Sequence, residues 1–284
     1  MYMCLAIEST AHTFSISLLE ETKLIKEKRS MYTKEEGGII PSEAAEHHRK
    51  IKDQLLNELL TETKKTWKEI DFIVISSGPG LAPSLAVGMD FAKELAITHK
   101  KPIIGVNHLC AHLEIGKLLT PAKDPVFVFV SGANTQIIAH EGGKYRIFGE
   151  TLSSGLGNAL DKFGREIGLG FPAGPKIEQL AKKGKYIELP YTVKGMDIEP
   201  SGIVTSAIQK WKKGAKQEDL CFSIQETLFS MLVEVTERAL AHTQKKEALL
   251  IGGVAANKRL IEMLEIMCKE RKNKFYFVPT EYAG

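Results

Sequence analysis

No uninterrupted apolar run in the 284 residues approaches the roughly 18–20 needed to cross a bilayer, so a membrane-spanning helix is not expected. The N-terminus lacks a basic stretch ahead of its apolar residues and meets an acid at Glu8, so a secretory leader is not expected either. Cysteine is scarce. Cys4, Cys110, Cys221 and Cys268 are scattered without a CxxC pair, which argues against a disulfide framework or a structural zinc site. Neither sign of charge dominates: 38 Lys+Arg against 35 Asp+Glu leave +3, too little for a dedicated DNA-binding surface, although a local basic patch is compatible with it. Apolar residues are not lacking. At 43% hydrophobic and 26% charged the chain can fill one or two cores, so disorder is excluded as its dominant state. The expectation is a cytoplasmic α/β protein.

The hydropathy pattern runs through the same order twice. Residues 3–8, 14–19 and 23–30 read as an antiparallel meander, because they are short, apolar or alternating, and closely connected. After Gly37-Gly38, a helix opens at Pro41-Ser42-Glu43 and carries Ile51, Leu55, Leu56, Leu59 and Leu60 at helical spacing. A buried strand at 71–76 ends in Gly78-Pro79-Gly80, and a helix over 84–98 and a strand over 102–106 follow. Asn107 then caps a helix through Leu119.

The second half repeats the order with strands at 126–131, 136–140 and 145–151 and helices at 157–167 and 175–183. A loop-rich insertion over 184–218 and a long helix over 222–243 come next, then a strand at 248–251, the turn Gly252-Gly253, a helix over 256–270 and a strand at 275–278. Both halves therefore read βββαβα-β, which predicts a duplicated α/β domain, residues 1–119 and 120–284, around a nucleotide cleft. Its glycine-rich strand-to-helix turns suit phosphate binding by backbone N–H groups and helix N-termini. The second half stops at Glu281-Tyr282-Ala283-Gly284, where the matching last helix should begin, so a C-terminally truncated chain is expected.

Within Asn107-His108-Leu109-Cys110-Ala111-His112, His108 and His112 fall at i and i+4, where two imidazoles share a helix face and can share a metal ion. Leu109 stands where a zinc protease carries its glutamate base, so a metalloprotease is disfavoured. Ser131-Gly132-Ala133-Asn134-Thr135 reads as a tight turn that can approach a ligand closely. Gly252-Gly253-Val254-Ala255-Ala256-Asn257 has the strand–turn–helix form suited to a nucleotide. Glu8 ends the first strand and could bind a metal-held water or polarise a phosphate. Asp161 and Glu178 suit ribose and base recognition. His47-His48 are read as a solvated helix face, and the lysines and tyrosines over 182–194 as a solvated charge run that could also touch RNA.

Taken together, Asn107–His112, residues 130–136, Gly174-Pro175-Lys176-Ile177-Glu178 and residues 252–257 resemble the catalytic subunit family of tRNA threonylcarbamoyladenosine synthesis. This is the archaeal KEOPS subunit, with bacterial TsaD as its relative. Residues 189–198 resemble the archaeal branch. The resemblance implies an ASKHA (actin/sugar-kinase/Hsp70-like) fold of duplicated RNase-H-like domains. It also implies transfer of a threonylcarbamoyl group from threonylcarbamoyl-adenylate to the exocyclic amine of the adenosine beside the anticodon, in tRNAs reading ANN codons, with release of AMP. By the same resemblance His108 and His112 match ligands of one divalent metal, iron or zinc. Phe129, Val130, Ser131, Gly132, Ala133 and Asn134 match the turn holding the donor, with Ser131 at its centre. Asp161, Gly174, Glu178, Gly252, Gly253 and Asn257 match contacts to the adenine nucleotide. The implied partners are tRNA and KEOPS-type subunits including a small atypical kinase, which some archaeal relatives carry fused at the C-terminus; no membrane is implied.

The sequence departs from the family at several points. Phe129 stands where several archaeal members carry Tyr, Ala133 replaces a turn glycine, and Glu199-Pro200 stands where a small or apolar residue precedes Phe-Ser-Gly. Ser9-Thr10-Ala11-His12-Thr13 lacks the usual charged residue, and the family continues past Gly284 with Asp-Asn-Gly, whose Asp is the third metal ligand. Two other readings stay open on the residues alone: a phosphotransferase of the same fold acting on a small molecule, and a non-catalytic nucleotide-binding subunit of a complex.

Overall fold

The computed structural model describes residues 2–33 and 39–278. Gly37-Gly38 and Glu281-Tyr282-Ala283-Gly284 lie outside them. The chain divides into two compact units, Met1–Ala111 and His112–Gly284.

In the first unit β1 (Met3–Glu8), β2 (Thr13–Glu20) and β3 (Lys23–Met31) form the expected meander, with Ile7 opposite Ile16 and Cys4 opposite Leu19. The alternation is strict where one face is covered: Met3, Leu5, Ile7, Phe14, Ile16 and Leu18 are buried. Two parallel strands, β4 (Phe72–Gly78) and β5 (Ile103–Asn107), complete the sheet in the order β3-β2-β1-β4-β5. A parallel partner needs a crossover. The chain supplies it as α1 (Pro41–Thr63) between β3 and β4 and as α2 (Ala82–His99) between β4 and β5. Pro41 opens α1, and the helix closes on Lys64 in the left-handed region (φ 54°). Leu55, Leu56 and Leu59 of α1 and Phe91 of α2 pack on Phe14, Ile73 and Ile75, each such burial contributing roughly 1.5–3 kcal/mol.

The second unit repeats the plan. It holds α3 (His108–Leu119) from His112 onward, then β6 (Val126–Val130), β7 (Thr135–Glu141) and β8 (Lys144–Glu150), α4 (Leu156–Glu166) and α5 (Gly174–Ala181). A short hairpin, β9 (Val193–Lys194) and β10 (Asp197–Ile198), precedes α6 (Ser201–Lys212) and α7 (Gln217–Thr243). The unit closes with β11 (Glu247–Ile251), a 3-10 turn (Gly253–Ala256), α8 (Lys258–Glu270) and β12 (Lys274–Phe277). Its sheet order, β12-β11-β6-β7-β8, is that of the first sheet strand for strand. Every residue of β6 is buried, as befits a central strand covered on both faces.

Three expectations require correction. The insertion over 184–218 is not mainly loop: it holds the β9–β10 hairpin and α6, whose Ile203, Val204 and Ala207 are buried at helical spacing. The signal was hidden by Pro200-Ser201-Gly202, which reads as a turn. Glu199 supplies the missing cap, because its Oε1 accepts from Ser201 N (3.0 Å), Ser201 Oγ (2.6 Å) and Ser153 Oγ (2.5 Å). Glu199 therefore starts a helix and ties down the loop after β8. Next, the last helix starts at Lys258, after a 3-10 turn. Finally, His48 is not solvated. It is fully buried against the ring of Phe14, and its Nε2 lies 2.9 Å from Ala11 O, while His47 reaches Ser30 Oγ at 3.0 Å. The segment 182–194 is partly stitched to α7, through Lys185 N to Asp219 Oδ1 (2.7 Å), Ile187 N to Ser223 Oγ (2.6 Å) and Tyr191 to Glu234.

Burial holds the His48 imidazole below its ordinary value of 6.5, and burial does the same to His12. An unfolded chain then takes up protons that the folded one refuses. Thermal melting should therefore be flat above pH 6.5 and fall as the pH drops below it. His48→Gln, which keeps a donor for Ala11 O and cannot titrate, should flatten that decline and leave the share due to His12. Glu199→Ala should cost about 0.5–2 kcal/mol in denaturant unfolding, the loss expected for a helix cap.

Candidate active site

In a sheet whose parallel strands leave along one edge, ligand-binding groups collect at the strands' carboxyl ends. In the first unit that edge carries Glu8 at the end of β1, Gly78 at the end of β4 and Asn107 at the end of β5. Asn107 Oδ1 accepts from Leu109 N (2.9 Å) and Cys110 N (3.2 Å), which starts α3 at the expected place. His108, the first residue of α3, directs Nδ1 at Glu8 Oε2 (3.1 Å), with Thr10 Oγ1 at 3.3 Å from the same nitrogen. The other oxygen of Glu8, Oε1, accepts from Thr10 N at 2.6 Å. Burial pushes the Glu8 carboxyl up, but its hydrogen bonds with His108 and Thr10 outweigh that and hold the group down to about 2.

His108 and His112 lie one turn apart on α3, and such a pair of imidazoles is a donor set that a divalent metal accepts. Among the described residues no group of three His, Cys, Asp or Glu side chains could hold an ion, so the pair needs further donors to close a coordination sphere. In the second unit the His112 ring rests on Phe129, centroid to centroid 5.3 Å, and Phe129 is buried at the end of β6. A phenyl ring packs there and donates nothing.

The turn leaving β6 closes on itself. Ser131 Oγ donates to Asn134 O (3.0 Å) and accepts from Asn134 N (3.0 Å), while Ser131 N donates to Asn134 O (2.8 Å). The hydroxyl thus shapes the turn. The carbonyls of Ser131, Gly132 and Ala133 accept from Gly157 N (3.3 Å), Asn158 N (2.8 Å) and Gly155 N (3.0 Å), which seats the turn on the start of α4. A side chain at Gly157 would meet Gly132 Cα at 2.7 Å, so this contact requires glycine. Ala133 and Asn134 are exposed at the tip.

After β11 the chain passes Gly252 with φ +103°, and a Cβ there would lie 2.4 Å from Val130 O. Gly252 thus lets the second turn press against the first, and the space beside Gly253 is open. Asn257 is buried. Its Oδ1 caps α8 by accepting from Arg259 N (2.9 Å) and Leu260 N (3.2 Å), and its Nδ2 donates to Gln225 Oε1 (3.1 Å). Glu178 Oε1 accepts from Lys258 N (3.1 Å). The first N–H groups of α8 are therefore engaged by protein, and a carboxylate stands among them, which disfavours the phosphate expected at that helix end. Asp161 Oδ1 accepts from Ala173 N (2.8 Å) and so orders the entry to α5, where the side of Gly174 is open.

The second unit thus brings together the Ser131 turn, Gly252 and the start of α4, and it links Glu178 and Asn257 through α8. The first unit brings together Glu8 and His108. Sequence reasoning missed Thr10, Gln225 and Asn158. Of these only Gln225 left a trace, as an amide at an inward position of an apolar helix.

The family model described as tRNA N6-adenosine threonylcarbamoyltransferase matches residues 22–284. A protein from Thermococcus sibiricus called tRNA N6-adenosine threonylcarbamoyltransferase is 56% identical over 281 residues, which cover 98% of this chain and 86% of that one. One from Methanocaldococcus jannaschii, called a probable bifunctional tRNA threonylcarbamoyladenosine biosynthesis protein, is 50% identical, and the match covers 99% of this chain but 53% of that one. Among solved structures, component A of the (R)-2-hydroxyglutaryl-CoA dehydratase of Acidaminococcus fermentans matches with TM-score 0.60 at 14% identity, covering all of this chain and 95% of that one. A likeness at that identity bears on the fold alone, and the fold is the ASKHA architecture that the resemblance implied, with the duplication expected from the repeat.

Asn257→Ala should lower unfolding stability by about 0.5–2 kcal/mol with no nucleotide present, because it removes the cap of α8 and strands Gln225. A purely ligand-directed Asn257 would leave the melting of the empty protein unchanged.

Proposed function

The chain belongs to the tRNA N6-adenosine threonylcarbamoyltransferase family, and from that premise we propose that it transfers a threonylcarbamoyl group to tRNA. The donor is threonylcarbamoyl-adenylate, and the acceptor is the exocyclic amine of the adenosine beside the anticodon in tRNAs reading ANN codons. The amine nitrogen attacks the carbamoyl carbon, the bond from that carbon to the phosphate oxygen breaks, and AMP departs with the proton that the amine gives up. Because the donor is already an activated mixed anhydride, the protein has only to bind and orient the two reactants. This agrees with a Ser131 whose hydroxyl is spent inside its own turn.

The second unit is the proposed nucleotide side. Phe129 and Val130 end the strand that carries the turn Ser131–Asn134, whose backbone would approach the donor at Gly132 and Ala133. Asp161, Gly174 and Glu178 are assigned to ribose and base, Gly252 and Gly253 to the second wall, and Asn257 keeps that wall in shape. The imidazoles of His108 and His112 would hold one divalent metal, iron or zinc, supported by their spacing on α3. Such an ion would polarise the carbonyl or steady a phosphate oxygen.

tRNA is the macromolecular substrate. KEOPS-type subunits including a small atypical kinase are the proposed partners; the bifunctional name of the Methanocaldococcus jannaschii relative, of which this chain spans about half, supports a second activity fused in that protein. No described helix is long and apolar enough to cross a membrane, and a tRNA substrate fits a cytoplasmic enzyme. The observation that carries the reading is the family match over residues 22–284, which contains both imidazoles and every nucleotide-side residue named here. It ranks above the phosphotransferase, which leaves the imidazole pair unexplained, and above the non-catalytic subunit.

Reconstitution with partner subunits, threonylcarbamoyl-adenylate and an ANN-decoding tRNA should yield the modified nucleoside by mass spectrometry. Joint replacement His108→Ala and His112→Ala should slow it by roughly 10²-fold or more. An undiminished rate would remove the metal role. ATP-dependent phosphorylation of a small metabolite without tRNA would overturn the transferase itself.

A further inference from the structure

We propose that Glu8, seconded by Thr10, is a positioning residue for His108: it holds the ring with Nδ1 as the N–H, so that Nε2 carries the lone pair offered to the metal. The inference rests on the metal reading given above, and it gives the acid at the end of β1 a defined partner.

The geometry fixes the tautomer. A carboxylate has only acceptors to offer. Facing Glu8 Oε2 at 3.1 Å, Nδ1 must therefore be the protonated nitrogen, since two lone pairs pointed at each other repel. A neutral imidazole carries one N–H, so the lone pair falls to Nε2. Each oxygen of Glu8 already has a partner. Its Oε1 accepts from Thr10 N at 2.6 Å while Oε2 faces the ring, so both oxygens are already held in place by the protein.

The support behind Glu8 is rigid. It sits on β1, which is paired on both edges, Ile7 lying between Ile16 and Ile75. The Thr10 segment is pinned by Leu81 N donating to Thr10 O at 2.7 Å, at the entry to α2. His108 begins a helix whose start Asn107 fixes. Both partners of the Glu8–His108 contact are partly shielded, with side chains 33% and 24% exposed, so water competes only weakly for the bond. A carboxylate behind a metal-binding imidazole sets its tautomer and its orientation, and losing such a partner costs roughly 10–100-fold in metal affinity.

The test uses the full chain with cobalt(II) as the probe. Long-range ¹H–¹⁵N correlation on metal-free, ¹⁵N-histidine-labelled protein should report His108 as the Nδ1–H tautomer, assigned by its loss in His108→Gln. Glu8→Ala should move that signal toward the Nε2–H form and weaken cobalt(II) binding roughly 10–100-fold. Glu8→Gln, whose carbonyl still accepts, should restore the tautomer and give an intermediate affinity. An unchanged His108 tautomer in Glu8→Ala overturns the proposal. Cobalt(II) binding that is abolished by His108→Ala yet untouched by Glu8→Ala overturns the positioning role and leaves the metal reading standing. Binding indifferent to His108→Ala overturns the metal reading, and the proposal falls with it. Should Glu8→Ala not fold, Glu8→Gln carries the test alone: affinity below wild type supports the proposal and equal affinity overturns it.

Discussion

Strands that run in the same direction cannot be joined by a tight turn, and in this protein that constraint fixes where the chemistry can be. In each unit three strands are parallel, β1, β4 and β5 in one and β6, β11 and β12 in the other. Each crossover returns the chain to the far edge of the sheet, so every parallel strand is left along the same edge. That edge gathers Glu8, Gly78 and Asn107 in the first unit and the turns at Ser131 and Gly252 in the second. Residues far apart in sequence become neighbours because of strand direction, before any side chain is considered.

The interior of these turns is occupied by the protein's own hydrogen bonds. The first donors of α4 go to carbonyls of the Ser131 turn, those of α8 go to Asn257 and Glu178, and Ser131 spends its hydroxyl on Asn134. An unpaired buried amide costs about 1–3 kcal/mol, so a site assembled from helix starts and turns stays open to ligand only where the protein leaves donors unspent. The second unit pairs such groups to make shape, and the open sides of Gly174 and Gly253 are what that shape leaves over.

Much of this was legible in the residues. The apolar run of β1, the alternation in β2, the proline at the start of α1 and the glycine turns after β4 and β11 each encode a local physical choice, and repeating those choices in order revealed the duplication. What escaped had no local signature. α6 is started by Glu199 from outside the helix, and no helix-start pattern includes a glutamate two residues ahead behind a proline. His48 is buried because α1 lays that face on Phe14, which a pair of adjacent histidines does not disclose. At the site the residue types were readable and their partners were not. Glu8 showed as an acid at a strand end, but its commitment to His108, a hundred residues on, is a fact of the sheet. Asn257 showed as a residue opening a helix, but its bond to Gln225 on another helix is again a fact of the fold.

β6 deserves a last consideration. Its five residues are buried on both faces, and both of its edges are paired, to β7 and to β11. No local fluctuation can bring its amides to solvent; only collapse of the whole unit can, so its opening free energy approaches the global one. The loop that begins at Ser131 is rooted in that strand. Breathing motions that fray surface segments on faster timescales therefore stop short of it, and the loop keeps its place for as long as the unit remains folded.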